Sequence, residues 1–118
     1  MQDDIIRLQH MLDAVNEILE FTDGKSRSDL DDIRVLALAL VKLLEIIGEA
    51  ASGISKVTKD EHPELPWKQM IGMRNRLIHG YFDIDLDIVW QTVDMDLPPL
   101  KIKLESILRQ VENSVKQE

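Results

Sequence analysis

The chain contains no cysteine, so neither a disulfide framework nor a thiolate metal site is open to it. Aromatic residues make up only 4% of it, which leaves Leu, Ile, Val and Ala to fill a core. Four prolines and five glycines in 118 residues leave long stretches unpunctuated, and such stretches favour helix. The longest apolar run, Val35 to Val41, is far short of the roughly 20 residues of a membrane span. The first ten residues, MQDDIIRLQH, are charged and lack the apolar stretch of a signal peptide. The expectation is a cytoplasmic protein with no membrane partner. Basic residues are scarce too, 14 Lys and Arg against 22 Asp and Glu, for a net charge of −8. Phosphate neutralisation supplies most of the affinity of a general nucleic-acid binder. The acidic balance therefore counts against tight, indiscriminate binding and fits a small contact area or a basic protein partner. The sequence holds no glycine-rich phosphate loop, no HExxH and no Gly-x-Ser-x-Gly elbow.

Helical periodicity dominates what is present. Ile5, Leu8, Leu12, Val15 and Leu19 alternate steps of three and four, the pattern of an amphipathic helix. Thr22, Asp23 and Gly24 end it. Ser28 and Asp31 suit the start of a second helix. From there Ile33, Leu36, Leu40, Leu43, Ile47, Ala50, Ile54 and Val57 keep the spacing for some seven turns. The stretch VLALALVKLLEII within it is apolar beyond one stripe, which calls for cover on more than one side and motivates a dimer. Gly48, Ala50, Ala51, Ser52 and Gly53 form a small-residue patch where another backbone can come close. Lys59 to Pro66 is a proline-containing loop, and Pro66 suits the first turn of a third helix from Trp67. Asp83 and Asp85 offer caps for a fourth helix with Leu86, Val89, Trp90 and Val93 on its buried side. Pro98 and Pro99 are expected to break it. Leu100, Leu104, Ile107 and Val111 mark the last helix, ahead of a frayed tail. The fold class predicted is all-α: an up-and-down bundle of about five helices, one domain over residues 1–118, dimeric. His10 on the first helix and His62 in the loop read as solvent-exposed, without a second metal ligand in reach.

Chemistry concentrates in Trp67 to Tyr81, WKQMIGMRNRLIHGY. At about 100° per residue, Trp67, Met70, Ile71, Leu77 and Ile78 fall within roughly 60° of Arg74. Arg74 thus sits mid-stripe on the apolar face of a continuous helix. A guanidinium cannot stay unpaired in an apolar interior, so it either pairs with a carboxylate on a neighbouring helix or lines a polar cleft between subunits. Glu45 and Glu49, one turn apart, are the candidate partners; the plain alternative is two solvated glutamates. Lys68, Arg76 and His79 group with Arg74 as a local cationic cluster. Asn75 and His79 are four apart, so the amide can orient the imidazole. Gly80 reads as the helix stop. Arg74 and His79 are about 140° apart on an ideal helix; both reach one phosphate only through distortion at the Gly80 end or through a second copy.

An Arg and a His beside Tyr81 suit metal-free RNA cleavage. A neutral imidazole takes the 2′-hydroxyl proton and the guanidinium stabilises the pentavalent phosphate. The attacking group belongs to the RNA, so no cofactor, metal or protein nucleophile is called for. The plain alternative is that Arg74 ties two helices together while His79 and Tyr81 cap a helix end.

Arg74, four residues, His79, one residue, Tyr81 resembles the signature of the HepT-like branch of the HEPN superfamily. The flanking blocks agree in order: IGEAA at Ile47 to Ala51, LPW at Leu65 to Trp67, MRNRLIHGYF at Met73 to Phe82, DIVW at Asp87 to Trp90 and LPPL at Leu97 to Leu100. The likeness runs from about Asp3 to Val111. It implies an all-helical homodimer with Arg and His motifs meeting at the interface, and a metal-independent ribonuclease toxin. The partner it implies is a minimal nucleotidyltransferase antitoxin that neutralises the toxin by adenylylating the motif tyrosine. Carried over, Arg74 and His79 are catalytic, Asn75 orienting and Tyr81 the modification site. The rival reading is a non-catalytic helical subunit that presents a substrate to a nucleotidyltransferase.

Overall fold

The computed structural model describes residues 2–79 and 83–117, with the backbone alone for Gln2, His79 and residues 115–117. Three long helices carry the architecture: α1 (Gln2–Thr22), α3 (Arg34–Gly53) and α8 (Leu97–Gln117). The short helices are α2 (Asp29–Asp32), α4 (Lys56–Glu61), α5 (Trp67–Ile71), α6 (Met73–Leu77) and α7 (Leu86–Gln91). A π-helical segment, Thr92–Asp96, joins α7 to α8. The all-α class expected from periodicity holds. α1 packs on α3 and on α8, while α5 and α6 lie against α3. Leu8, Met11, Val15 and Ile18 of α1 join Leu40, Leu44 and Ile47 of α3 and Leu97, Leu100 and Leu104 of α8 in one core cluster. Each such side chain contributes about 1.5–3 kcal/mol by leaving water. The last-helix stripe Leu100, Leu104, Ile107 and Val111 is buried as the spacing requires.

Gly24 ends the first helix with φ at 74°, the left-handed conformation that a glycine adopts without steric cost. The second predicted helix is three pieces. Ile33 leaves helical geometry between α2 and α3, and Ile54 is extended after Gly53. Ser28 makes no capping bond; the Asp29 carboxylate instead accepts from the Ser26 amide at 2.7 Å. The break after Gly53 has a clear cause. Ser55 caps α4, and the buried Asp4 carboxylate accepts from the Ser55 amide (3.0 Å), Ser55 Oγ (2.6 Å) and Thr58 Oγ1 (2.6 Å). Burial alone would raise the Asp4 pKa, but these hydrogen bonds outweigh it and hold the carboxyl below its ordinary value.

Pro98 and Pro99 do not break the chain. Both fall in the first turn of α8, and the π segment ahead of them lets the Leu97 amide reach back to the Thr92 carbonyl. Widening the turn accommodates two residues that cannot donate, and Thr92 Oγ1 bonds the Ile88 carbonyl at 2.8 Å beside it. The helices predicted on either side of the prolines are therefore one continuous helical run from Leu86 to Gln117. The capping expected near its start is present at Asp85, whose carboxylate accepts from the Ile88 amide at 3.1 Å. Strand structure, not foreseen, is limited among the described residues to β1 (Ile78–His79) and β2 (Asp83–Ile84), paired antiparallel with Ile78 opposite Ile84 and His79 opposite Asp83. Among the described residues no helix is long and apolar enough to cross a membrane.

Candidate active site

The motif stretch is not one helix. Gly72 interrupts it between α5 and α6, and α6 stops at Leu77, with Ile78 already extended. The residues that face the core are Met70, Met73 and Leu77. Met73 moves the centre of the buried stripe, so Arg74 sits about 70° to its flank rather than in its middle. Its side chain is 64% exposed, which corrects the expectation of a guanidinium embedded in an apolar face. The same early stop removes the one-turn relation between Asn75 and His79, because His79 is on β1 and not on the helix. It also lifts the 140° constraint between Arg74 and His79, which applied only to a regular helix. Gly80, Tyr81 and Phe82, and with them the Tyr81 modification site and the Gly80 stop, lie outside the described residues.

Arg74 and Asn75 open onto a cleft of about 350 Å³ between α6 and α3, lined also by Glu45, Gly48, Glu49, Ser52 and Ile71. Glycine at position 48 makes the cleft possible. A Cβ there would lie 2.6 Å from the Met70 carbonyl oxygen, so α5 rests directly on the backbone of α3. The small-residue patch signalled such an approach; its occupant is α5 of the same chain. Of the two glutamates, Glu45 is within ion-pair range, its Oε1 3.5 Å from Arg74 Nε and its side chain 18% exposed. Glu49 lines the cleft at greater exposure. The Arg74 contact runs through Nε, and among the described residues the terminal nitrogens make no ion pair or hydrogen bond. Arg76 does not join this group. It faces a second cavity, between α5–α6 and the start of α8, and Lys68 borders a third, open groove with Trp67 and Lys103. The cationic cluster expected from sequence is thus divided over three surfaces.

His62 is not solvent-exposed as expected: its side chain is 12% exposed and its Nδ1 is 3.2 Å from Glu64 Oε1. The Trp67 indole N–H donates to the His62 carbonyl at 2.9 Å, so this loop is folded back on the start of α5. His10 is exposed on α1. Among the described residues no three His, Asp or Glu side chains gather to hold a metal ion.

A family model described as "Ribonuclease HepT-like" matches residues 11–107. The chain belongs to the HepT-like family. It is 40% identical over 100 residues to a "Probable ribonuclease HepT" of Thermococcus cleftensis, covering 85% of this chain and 91% of that one. It is 37% identical over 102 residues to a "Putative RNase" of Caldanaerobacter subterraneus, covering 86% and 91%. A "Putative RNase" of Methanocaldococcus jannaschii is 36% identical over 100 residues, with 85% and 92% covered. No solved structure matches the chain. In this HepT-like chain the matched residues include the segment that borders the Arg74 cleft and runs on into β1.

Proposed function

We propose that this HepT-like protein is a metal-independent endoribonuclease that works as a homodimer and as the toxin of a toxin–antitoxin pair. The observation that carries the reading is the Arg74 guanidinium, exposed on a cleft and held to Glu45 through Nε alone, in a chain of a family described as ribonuclease. His79 in its neutral form takes the 2′-hydroxyl proton as that oxygen attacks the adjacent phosphorus. The Arg74 fork stabilises the extra negative charge of the pentavalent phosphate. The bond to the 5′ oxygen then breaks and that oxygen takes up the proton that the imidazolium releases, leaving a cyclic phosphate and a free 5′ hydroxyl. Asn75, on the same cleft, orients the reacting groups.

The dimer is supported by α3. Val35, Leu38, Lys42, Glu45 and Glu49 recur every three or four residues on one face, and Val35 and Leu38 are 78% and 44% exposed. A second copy laid on this stripe covers the apolar end and brings a second motif to the Arg74 cleft. The antitoxin is a nucleotidyltransferase that transfers AMP to the Tyr81 hydroxyl, placing a phosphodiester beside Arg74 and His79 where the RNA backbone would sit. Tyr81→Phe retains cleavage and escapes this silencing; intact-mass measurement after incubation with the transferase, ATP and magnesium reads it.

A second reading is favoured by Glu45 and Glu49, which oppose the Arg74 charge within a chain of net charge −8. In it the protein is a non-catalytic helical subunit of the nucleotidyltransferase. Incubation of the purified protein with total RNA, with and without EDTA, decides. Cleavage that survives EDTA and disappears in Arg74→Ala and His79→Ala supports the ribonuclease. Intact RNA under all conditions supports the subunit.

A further inference from the structure

The triplet Arg74–Asn75–Arg76 straddles α6. Arg74 and Arg76 are about 200° apart on a helix roughly 10–12 Å wide, so they serve opposite sides. The side away from the Arg74 cleft is the second cavity, about 370 Å³, within the roughly 300–1,000 Å³ of small-molecule sites. Its floor is apolar, from Met70, Met73, Leu97 and Leu100, all at most 6% exposed. Its rim carries Gln69, Arg76, Asp96 and Lys103. Among the described residues the Gln69, Arg76 and Asp96 side chains make no intramolecular hydrogen bond or ion pair. Asp96 reaches the rim at the end of the π-helical segment, the kind of irregularity that recurs at functional sites.

We infer that this cavity is a base-reading subsite, which accepts an unstacked base flanking the scissile phosphate and favours one with an exocyclic amino group. The inference takes its substrate class, single-stranded RNA, from the ribonuclease reading. Charge complementarity selects the occupant. The apolar floor suits a planar base taken out of its stack, while Arg76 and Lys103 suit the phosphates on either side of it. The Asp96 carboxylate only accepts hydrogen bonds, so it meets an amino hydrogen of adenine, cytosine or guanine. The Gln69 amide pairs with the adjoining ring nitrogen and amino hydrogen. Uracil presents a carbonyl oxygen where the amino group would stand, and that oxygen faces the carboxylate. A strand crossing α6 thus lays its scissile phosphate by Arg74 and its flanking base in this cavity.

The test uses single-stranded oligoribonucleotides that differ in one base at each position beside the cleavage point, with kcat/KM measured for each. Anisotropy of 2′-deoxy versions, which cannot be cut, measures binding alone. Adenine, cytosine or guanine at one flanking position is expected to be preferred over uracil about tenfold in both assays. Gln69→Leu and Asp96→Asn, with helix content checked by circular dichroism, are expected to reduce the preference to twofold or less, about 0.4 kcal/mol against about 1.4 kcal/mol for tenfold. Asp96→Lys is expected to turn it towards uracil, which a merely structural role for Asp96 would not do. A base preference in binding without cleavage upholds the subsite while the ribonuclease reading falls. Equal binding of all four bases, or a preference unchanged in all three variants, overturns the subsite. So does protection of the Thr92–Lys103 amides from exchange by a nucleotidyltransferase but not by the oligomers, which would assign the groove to a protein.

Discussion

Gly48→Ala and Gly53→Ala place the same methyl group on the same helix, with opposite consequences expected. At position 48 the new Cβ would lie 2.6 Å from the Met70 carbonyl oxygen; at position 53 it would lie 2.5 Å from Arg7 Nε. The distances are nearly equal, but the obstacles are not. A guanidinium on a long, flexible stem swings away at little cost, whereas a backbone carbonyl moves only with its helix. Relief at position 48 requires α5 to retreat by about 0.6 Å, uncovering part of buried Met70, a change of the overpacking kind that costs about 1–3 kcal/mol. Ala is better than Gly inside a helix by about 1 kcal/mol, which offsets some of this. Taking the upper end of the packing cost leaves a net loss of about 2 kcal/mol for Gly48→Ala. Unfolding entropy for a chain of this length is about 0.25 kcal/mol/K near the midpoint, so Tm is expected to fall by about 8 °C. Gly53→Ala, at the helix end, is expected to leave Tm unchanged or raise it by about 2 °C. Moving α5 and α6 also widens the 3.5 Å separation of Arg74 and Glu45, so Gly48→Ala is expected to lower the cleavage rate where Gly53→Ala does not. Calorimetry of both variants beside a cleavage assay checks this. A higher Tm for Gly48→Ala, as helix propensity alone demands, would refute the close approach of α5 to α3.

Asp4 supplies stability that depends on pH. Its carboxyl is held below its ordinary value, so the contribution is complete above the unfolded pKa of about 3.9 and is lost as pH falls through the folded value. Asp4→Ala is expected to lower Tm by about 8 °C at neutral pH, from about 2 kcal/mol of charged hydrogen bonding, and to flatten Tm against pH below about 4; an unchanged acid limb would contradict it. Arg74→Ala is expected to reduce cleavage about 10²–10³-fold while costing no more than about 1 kcal/mol of stability, since an exposed ion pair contributes little. Unfolding of that variant in denaturant titration would mean that the guanidinium is structural. Val35→Glu together with Leu38→Glu is expected to give a folded monomer in sedimentation and to abolish cleavage. A dimer that persists would remove α3 from the interface, and a monomer that still cleaves would show that cleavage does not need the dimer.

The all-α class was legible because every long helix repeats its apolar residues at steps of three and four. Leu36, Leu40, Leu43 and Ile47 on α3 and Leu100, Leu104, Ile107 and Val111 on α8 are buried, while Ile33 and Val57, counted on the same stripe as α3, are exposed. Helix ends were less legible, because the groups that set them lie far away in the chain. The break after Gly53 depends on Asp4, 51 residues before Ser55, and the continuous rod through Pro98 depends on a π turn that no residue preference announces. The site shows the same division. The Arg74–His79–Tyr81 spacing is local and can be read in the sequence, but the place of Arg74 turns on Met73. Counting Trp67, Met70, Ile71, Leu77 and Ile78 as the apolar face put Arg74 at its centre, yet Ile71 is 42% exposed and Met73 is buried instead. One methionine rotates the buried stripe. That rotation delivers Arg74 and Asn75 to the α3 cleft and Arg76 to the far side of α6. Arg74 and Arg76, two residues apart in sequence, thereby face separate cavities on opposite sides of one short helix, an outcome fixed by which side chain the core accepts rather than by the charges themselves.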